Sequence, residues 1–166
     1  IAVPLASLYS HNIKIIDDDA PRIAFIRDPV ELSLENIVDD TIELPTHPNN
    51  AELGHRIINI EDRKVFIERK DLQHSKLRLK EFGDFEVDGY TATLISKDRT
   101  DKRKIIHWVS KNSSYDAQMT QVLDGEIRQI NGMIESHDYP TNTPIQLERI
   151  GYGIISGNDI ITFTHD

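Results

Sequence analysis

Val30-Glu31-Leu32-Ser33-Leu34 alternates apolar and polar side chains with period two, the signature of a half-buried β-strand. The same reading extends outward on both sides. Upstream, Arg22-Ile23-Ala24-Phe25-Ile26 is a short apolar strand, separated from the first by an Asp28-Pro29 turn signal. Downstream, Asp39-Asp40 marks a turn and Thr41-Ile42-Glu43-Leu44 a strand. Residues 45–50 (Pro-Thr-His-Pro-Asn-Asn) form a loop dense in turn formers. Arg56-Ile57-Ile58-Asn59-Ile60, Lys64-Val65-Phe66-Ile67-Glu68, Phe85-Glu86-Val87, Thr91-Ala92-Thr93-Leu94-Ile95 and Lys104-Ile105-Ile106-His107-Trp108-Val109 continue the series. Residues 69–77 are polar enough for a short helical turn, and 97–104 read as a charged hairpin loop. Residues 116–133 give a mixed signal that leaves the element type open. Ile145-Gln146-Leu147-Glu148-Arg149-Ile150 alternates again, and Ile160-Ile161-Thr162-Phe163-Thr164 is a last strand. Many short strands at roughly ten-residue spacing predict an all-β barrel or sandwich. The N-terminus departs from this pattern. Ile1, Leu5 and Leu8 share a helical face, and Asp17-Asp18-Asp19-Ala20-Pro21 ends that helix.

At 166 residues the chain makes one medium domain or two small ones, with a core that needs no staples. It contains no cysteine, which excludes disulfide scaffolds, thiolate metal sites and cysteine nucleophiles together. No apolar run approaches the about 20 residues of a membrane-crossing helix. No signal peptide precedes the pattern, and a cytoplasmic location is expected. The chain opens at Ile1 without an initiator Met, as a piece of a longer protein would.

A formal charge of -9 argues at first against a phosphate-binding surface. The total hides a segregation. Residues 63–111 hold 13 Lys and Arg against 8 Asp and Glu, whereas the remainder holds 6 against 20. Such a field can orient a polyanion on one face. Within the basic third, Lys76, Arg78 and Lys80 recur at period two and share one face of a strand. Arg99, Lys102, Arg103 and Lys104 cluster in a loop.

Other chemistries find no support. His47 and His55, with Glu52 between them, are too spread for a metal site. His107 reads as a satisfied core or rim histidine. Ser110, Ser113 and Ser114 lack an adjacent base, and Gly151-Tyr152-Gly153 lacks the third glycine of a phosphate loop.

Six strings then stand in register. Residues 11–32 contain His-Asn-Ile-Lys-Ile-Ile-Asp, Ala-Pro-Arg and Asp-Pro-Val-Glu-Leu. After them come Pro45-Thr46-His47-Pro48-Asn49, Ile106-His107-Trp108-Val109-Ser110 and Gln146-Leu147-Glu148-Arg149-Ile150-Gly151-Tyr152. In this order the chain resembles the C-terminal region of class I glutamyl-tRNA synthetases of archaeal and eukaryotic type, and of the related glutaminyl-tRNA synthetases. The resemblance implies two β-barrels of a kind also found in a ribosomal protein, one proximal and one inserted distal, behind a short N-terminal helix. Residues 1–19 would end a connecting helical subdomain, 20–61 with 138–166 would form the proximal barrel, and 62–137 the distal one.

The resemblance also implies the function. The barrels of this family bind the tRNA anticodon. The catalytic domain of the same polypeptide, with its ATP and Mg²⁺, is not in this chain, which carries no catalytic residue and no cofactor of its own. Arg22, Gln146 and Arg149 match the positions that read the middle anticodon base, a U. Arg78 matches the reader of the third base, and Lys76 and Lys80 flank it on the RNA-binding face. Asp84, Glu86 and Asp88 stand where glutaminyl enzymes carry further basic residues. The expected partner is tRNA(Glu), with tRNA(Gln) as the alternative, and neither DNA nor a membrane. A competing reading makes the acidic flanks a protein-interaction surface.

Overall fold

In the computed structural model, residues 19–162 are described. They form an all-β structure whose strands are β1 (Arg22–Ile23), β2 (Phe25–Arg27), β3 (Pro29–Glu35), β4 (Thr41–Pro45), β5 (His55–Asn59), β6 (Lys64–Glu68), β7 (Lys76–Leu79) and β8 (Gly83–Asp88). They continue as β9 (Thr91–Ser96), β10 (Lys104–Ile106), β11 (Val109–Ser110), β12 (Ser114–Leu123), β13 (Glu126–Glu135), β14 (Pro144–Leu147), β15 (Gly151–Ser156) and β16 (Asp159–Thr162). Short 3₁₀ turns occupy Ala51–Leu53, Arg69–Gln73 and Lys111–Ser113. The expected N-terminal helix lies outside the described residues.

Two seven-stranded sheets carry the fold. The first has the order β1-β14-β15-β16-β12-β13-β2 and the second β10-β7-β8-β9-β3-β6-β11. A two-stranded ribbon, β4-β5, completes them. One sheet curls into a nearly closed barrel and the other into a half-barrel. In each, the two edge strands are the two parts of one short run of chain. Residues 22–27 are interrupted at Ala24, so that β1 pairs in parallel with β14 while β2 pairs antiparallel with β13. Residues 104–110 are interrupted at His107-Trp108, so that β10 pairs in parallel with β7 while β11 pairs antiparallel with β6. Each run therefore satisfies the backbone of both edges of its sheet, which would otherwise expose unpaired N–H and C=O groups.

Period-two patterning decides what each strand buries. Along β3, Val30, Leu32 and Leu34 are buried, while Ser33 and Glu35 are exposed. Those three residues join Leu77, Leu79, Phe85 and Trp108 in the core of the second sheet, which also takes Leu44 and Ile58 from the ribbon. A separate core of Ile23, Phe25, Met119, Ile134 and Ile145 fills the first sheet. Ala24, Ile26 and Val109 form a third, small cluster.

The structure corrects several sequence expectations. The strands read as continuous over 22–26 and 104–109 are each broken where they change partner. Residues 97–104 are not a hairpin loop, because β9 pairs with β8 and β3 while β10 pairs with β7. The open segment 116–133 is a long hairpin, β12-β13, joined in register from Ser114↔Glu135 to Leu123↔Glu126. The alternating run 145–150 is a strand only to Leu147, and residues 148–150 turn. The sheets also divide the chain elsewhere than at the boundaries expected for the barrels. β3 pairs with β6 and β9, while β12 and β13 pair with β16 and β2. Asp28, at φ 46°, is the bend that sends the chain from the first sheet into the second.

The β2-β13 contact is the tightest point of the first sheet. A Cβ at Gly132 would lie 2.2 Å from Ile26 O and 2.8 Å from the Phe25 ring. Gly132→Ala is expected to cost about 3 kcal/mol, since overpacking there must displace backbone. Urea unfolding checks this, and an unchanged midpoint would show that the two strands need not approach so closely.

Candidate nucleic-acid interface

Four of the strings that stood in register meet at one place. Arg22 in β1 lies directly opposite Gln146 in β14. The backbone there is held on two sides. Arg22 N donates to Thr46 O at 2.8 Å, from the Pro-Thr-His-Pro loop, while Gln146 N and Glu148 N donate to Pro21 O and Ile23 O at 3.0 and 3.1 Å. After β14 the chain turns sharply. Ile150 N donates to Leu147 O at 3.1 Å, and Arg149 takes the left-handed conformation at φ 66°. Arg149 is thus a turn residue and not the strand residue its alternation suggested.

These residues line an open cavity of about 380 Å³ together with Pro48, Lys80, Ile105, His107 and Glu148. The size is that of a small-ligand site. A smaller pocket of about 50 Å³ adjoins it, with Arg22, Lys80, Trp108 and Glu135 among its walls. The cavity is bounded by both sheets: Arg22, Gln146, Glu148 and Arg149 come from the first, and Lys80, Ile105 and His107 from the second. Lys80 is fixed through its backbone, since Trp108 Nε1 donates to Lys80 O at 3.0 Å and Lys80 N donates to Ile106 O at 3.0 Å. Its ammonium donates to Glu148 Oε1 at 2.9 Å. The lining holds three cations, Arg22, Lys80 and Arg149, against one carboxylate, Glu148.

A chain of buried polar groups backs the cavity. Arg149 Nη1 donates to Asp71 Oδ2 at 3.0 Å and lies 2.8 Å from His107 Nδ1. His107 Nε2 is 3.3 Å from Phe25 O and 3.6 Å from Glu68 Oε2. Glu68 Oε2 accepts from Arg27 N at 3.1 Å and from Arg27 Nε at 2.8 Å. Burial opposes the ionisation of Glu68. The nearby His107 ring and the hydrogen bonds from Arg27 outweigh it and hold the carboxyl far below the usual glutamate range. Farther along the seam, Arg56 donates to both oxygens of Glu135 and to Pro45 O. There burial prevails, and the Glu135 carboxyl is pushed up despite Arg56.

The remaining expected residues lie elsewhere. Lys76 and Arg78 are on the outer face of β7 as the period predicted, with Leu77 and Leu79 buried between them. Lys76 is roughly 13 Å along the chain from Lys80. Arg78 is engaged within its own sheet: Nη1 donates to Asp84 Oδ1 at 3.0 Å and Nη2 to Lys97 O at 3.2 Å. Asp84 is held at a pKa of about 2. Its burial raises the value, but the Thr100 backbone and hydroxyl and Arg78 lower it further. His107 is satisfied at both ring nitrogens, as expected, but it also walls the cavity. Sequence reasoning missed Asp71, because nothing in the polar stretch 69–77 marks it as buried. Ile105 was hidden inside a core-like strand although it is 44% exposed. Among the described residues no group of His, Asp and Glu could hold a metal ion, and no helix is long and apolar enough to cross a membrane.

Two curled sheets meet at a cationic, donor-rich cleft of small-ligand size, chemistry of the kind that suits a nucleotide. The comparisons agree with that class. The family described as "tRNA synthetases class I (E and Q), anti-codon binding domain" matches residues 20–101. The chain is 33% identical over 164 residues to a glutamate–tRNA ligase of Thermoplasma volcanium, covering 95% of this chain and 29% of that protein. It is 29% identical over 162 residues to a glutamate–tRNA ligase of Methanocaldococcus jannaschii, covering 92% and 29%. A third, from Methanosarcina mazei, is 33% identical over 120 residues, covering 66% and 21%. The chain therefore spans less than a third of the length of these relatives. It belongs to the anticodon-binding domain family of the class I tRNA synthetases for glutamate and glutamine.

Because the Glu68 carboxyl is depressed in the folded state, its contribution to stability is fully present above the unfolded value of about 4.3 and is lost progressively as pH falls from there toward the much lower folded value. Glu68→Gln is expected to cost about 3 kcal/mol at pH 7, because it leaves Arg27 uncompensated at a buried contact. The gap to wild type should narrow below about pH 4. Thermal unfolding over pH 3–7 reads both, and a gap that does not change with pH would exclude an ionised Glu68.

Proposed function

We propose that this chain is the anticodon-binding part of a glutamate–tRNA ligase, and that the seam cavity takes the middle base of the anticodon, a uracil. The observation that carries this reading is the convergence of Arg22, Gln146 and Arg149 on one cavity. The three positions come from two strings more than 120 residues apart in the chain.

The chemistry of the set fits the base. The pairing edge of uracil offers a carbonyl, an N–H and a second carbonyl. Two guanidiniums supply donors and no acceptor, while the Gln146 amide supplies an acceptor as well as donors. Cytosine replaces one carbonyl by an amine, which would face a guanidinium donor to donor. A site built this way discriminates chiefly through the group it leaves unpaired. Ile105 and Pro48 offer apolar contact to the base, and Lys80 is placed for a backbone phosphate.

In the full-length protein this reading places the glutamate-activating chemistry, with ATP and Mg²⁺, on the catalytic domain of the same polypeptide. The partner is tRNA(Glu) and the compartment is the cytoplasm. The barrels contribute recognition by base readout and backbone contact. The expected partition into a proximal barrel of 20–61 with 138–166 and a distal barrel of 62–137 does not follow the sheets. We instead assign residues 22–27 with 114–162 to one barrel and 29–110 to the other. Arg78 and Lys76 belong, in this reading, to the outer path of the RNA and not to the cavity.

Arg22→Ala and Arg149→Ala are each expected to weaken binding of a U-centred anticodon hairpin by about 1–3 kcal/mol, with a much smaller effect on a hairpin carrying another middle base. Titration by fluorescence anisotropy at two salt concentrations checks this. Equal losses on all hairpins would reduce both arginines to phosphate contacts. The glutamate and glutamine anticodons, compared in the same assay, decide which tRNA is preferred.

A further inference from the structure

We propose that His107 and Asp71 are positioning residues for Arg149, and that His107 acts in this role as the neutral imidazole with its proton on Nε2. The proposal rests on the reading of the cavity given above. Both contacts of Arg149 are made by a single nitrogen, Nη1, which is 3.0 Å from Asp71 Oδ2 and 2.8 Å from His107 Nδ1. A guanidinium has five donors and no acceptor. His107 Nδ1 must therefore accept, and the ring proton lies on Nε2. The surroundings of Nε2 agree, since both of its neighbours, Phe25 O and Glu68 Oε2, are acceptors. One tautomer satisfies every partner. The imidazolium would set an N–H of His107 against an N–H of Arg149.

The groups facing the ring divide into two opposing influences. Glu68, at the end of β6, favours a charged ring, but Arg27 from β2 and Lys70 from the 3₁₀ turn Arg69–Gln73 share its carboxylate. Arg149, from the turn after β14, opposes a charged ring directly. Asp71, in the same 3₁₀ turn as Lys70, is paired with Arg149. His107, Asp71 and Glu68 are all about 2% exposed, so these bonds are formed away from bulk water.

The consequence for recognition follows from planarity. The guanidinium is a rigid fork. Two partners on Nη1 fix both its plane and its rotation, and among the described residues nothing accepts from Nε or Nη2. Those donors are held in one direction, in a side chain that remains 30% exposed. A guanidinium free to swivel would find an acceptor on many bases, whereas a fixed one rewards a carbonyl at one place only. Asp71 and His107 belong to the second sheet and Arg149 to the first. The alignment of this base reader is therefore set across the seam.

The test separates positioning from folding. A ¹⁵N–¹H correlation spectrum of the chain without RNA reads the tautomer, and an unprotonated Nδ1 at neutral pH is expected. An imidazolium, or a proton on Nδ1, overturns the proposal. The second readout is the ratio of affinities for hairpins with U and with C at the middle position. His107→Gln keeps a donor toward Phe25 O but removes the acceptor at Nδ1, and Asp71→Asn weakens the other contact. Each is expected to reduce the ratio about tenfold. His107→Asn, which keeps an acceptor near Nδ1, should recover much of that loss relative to His107→Gln. An unchanged ratio in both H107Q and D71N, in a protein where R149A abolishes it, overturns the proposal and leaves the cavity reading intact. An unchanged ratio in R149A removes both.

Discussion

Ala24 divides a six-residue run between the two edges of one sheet, and the functional architecture depends on that division. With β1 bound to β14, Arg22 stands opposite Gln146. With β2 bound to β13, the Phe25 carbonyl faces His107 and the Arg27 side chain reaches Glu68. The same backbone that closes the first sheet therefore also forms its contact with the second. The second sheet answers with its own divided run, and the interruption at His107-Trp108 meets the interruption at Ala24. A base-sized cleft lies at that seam because both runs leave their sheets there.

Buried ion pairs rarely add net stability compared with a well-packed apolar core. Their role here is better understood as orientation. Arg27 and Arg149 come from the first sheet and Glu68, His107 and Asp71 from the second, and each member has a defined geometry only if its neighbours are in place. Such a network specifies one relative arrangement of the cavity walls. It also explains the apparent contradiction of an acidic chain in a nucleic-acid family. Many cations of the basic middle third are paired internally: Arg63 with Asp40, Lys64 and Lys111 with Glu31, Arg78 with Asp84, Lys97 with Asp39, and Arg103 with Asp101. The charge segregation along the sequence is thus not a continuous phosphate track. In the proposed reading, the cations that serve recognition are the few gathered at the seam.

Much of this was legible from the residues. Alternation along Val30 to Leu34 places the correct side chains inward, and the turn chemistry of Asp28-Pro29 falls where the chain changes sheets. Four of the strings that stood in register converge on the cavity. What remained hidden depends on pairing between distant segments. A parallel contact between β1 and β14 leaves no local signal at Arg22, and the break at Ala24 is invisible in a run of apolar residues. The hairpin 114–135 obscured its own period because it packs Met119 inward while exposing Ile127. Arg149 looked like a strand residue because Ile145, Leu147 and Ile150 mimic one, although its backbone is left-handed. The burial of Asp71 and the use of both His107 nitrogens are tertiary facts with no counterpart in the sequence pattern.

The most direct test places a photoreactive base where the cavity should receive it. An anticodon hairpin with 4-thiouridine at the middle position is bound to the chain, irradiated, and the crosslinked peptides are sequenced by mass spectrometry. Crosslinks to the segments holding Arg22, Ile105 to His107, and Gln146 to Arg149 are the expected result. Crosslinks confined to the tip of the β12-β13 hairpin or to the β4-β5 ribbon would contradict the assignment of the seam as the base-reading site.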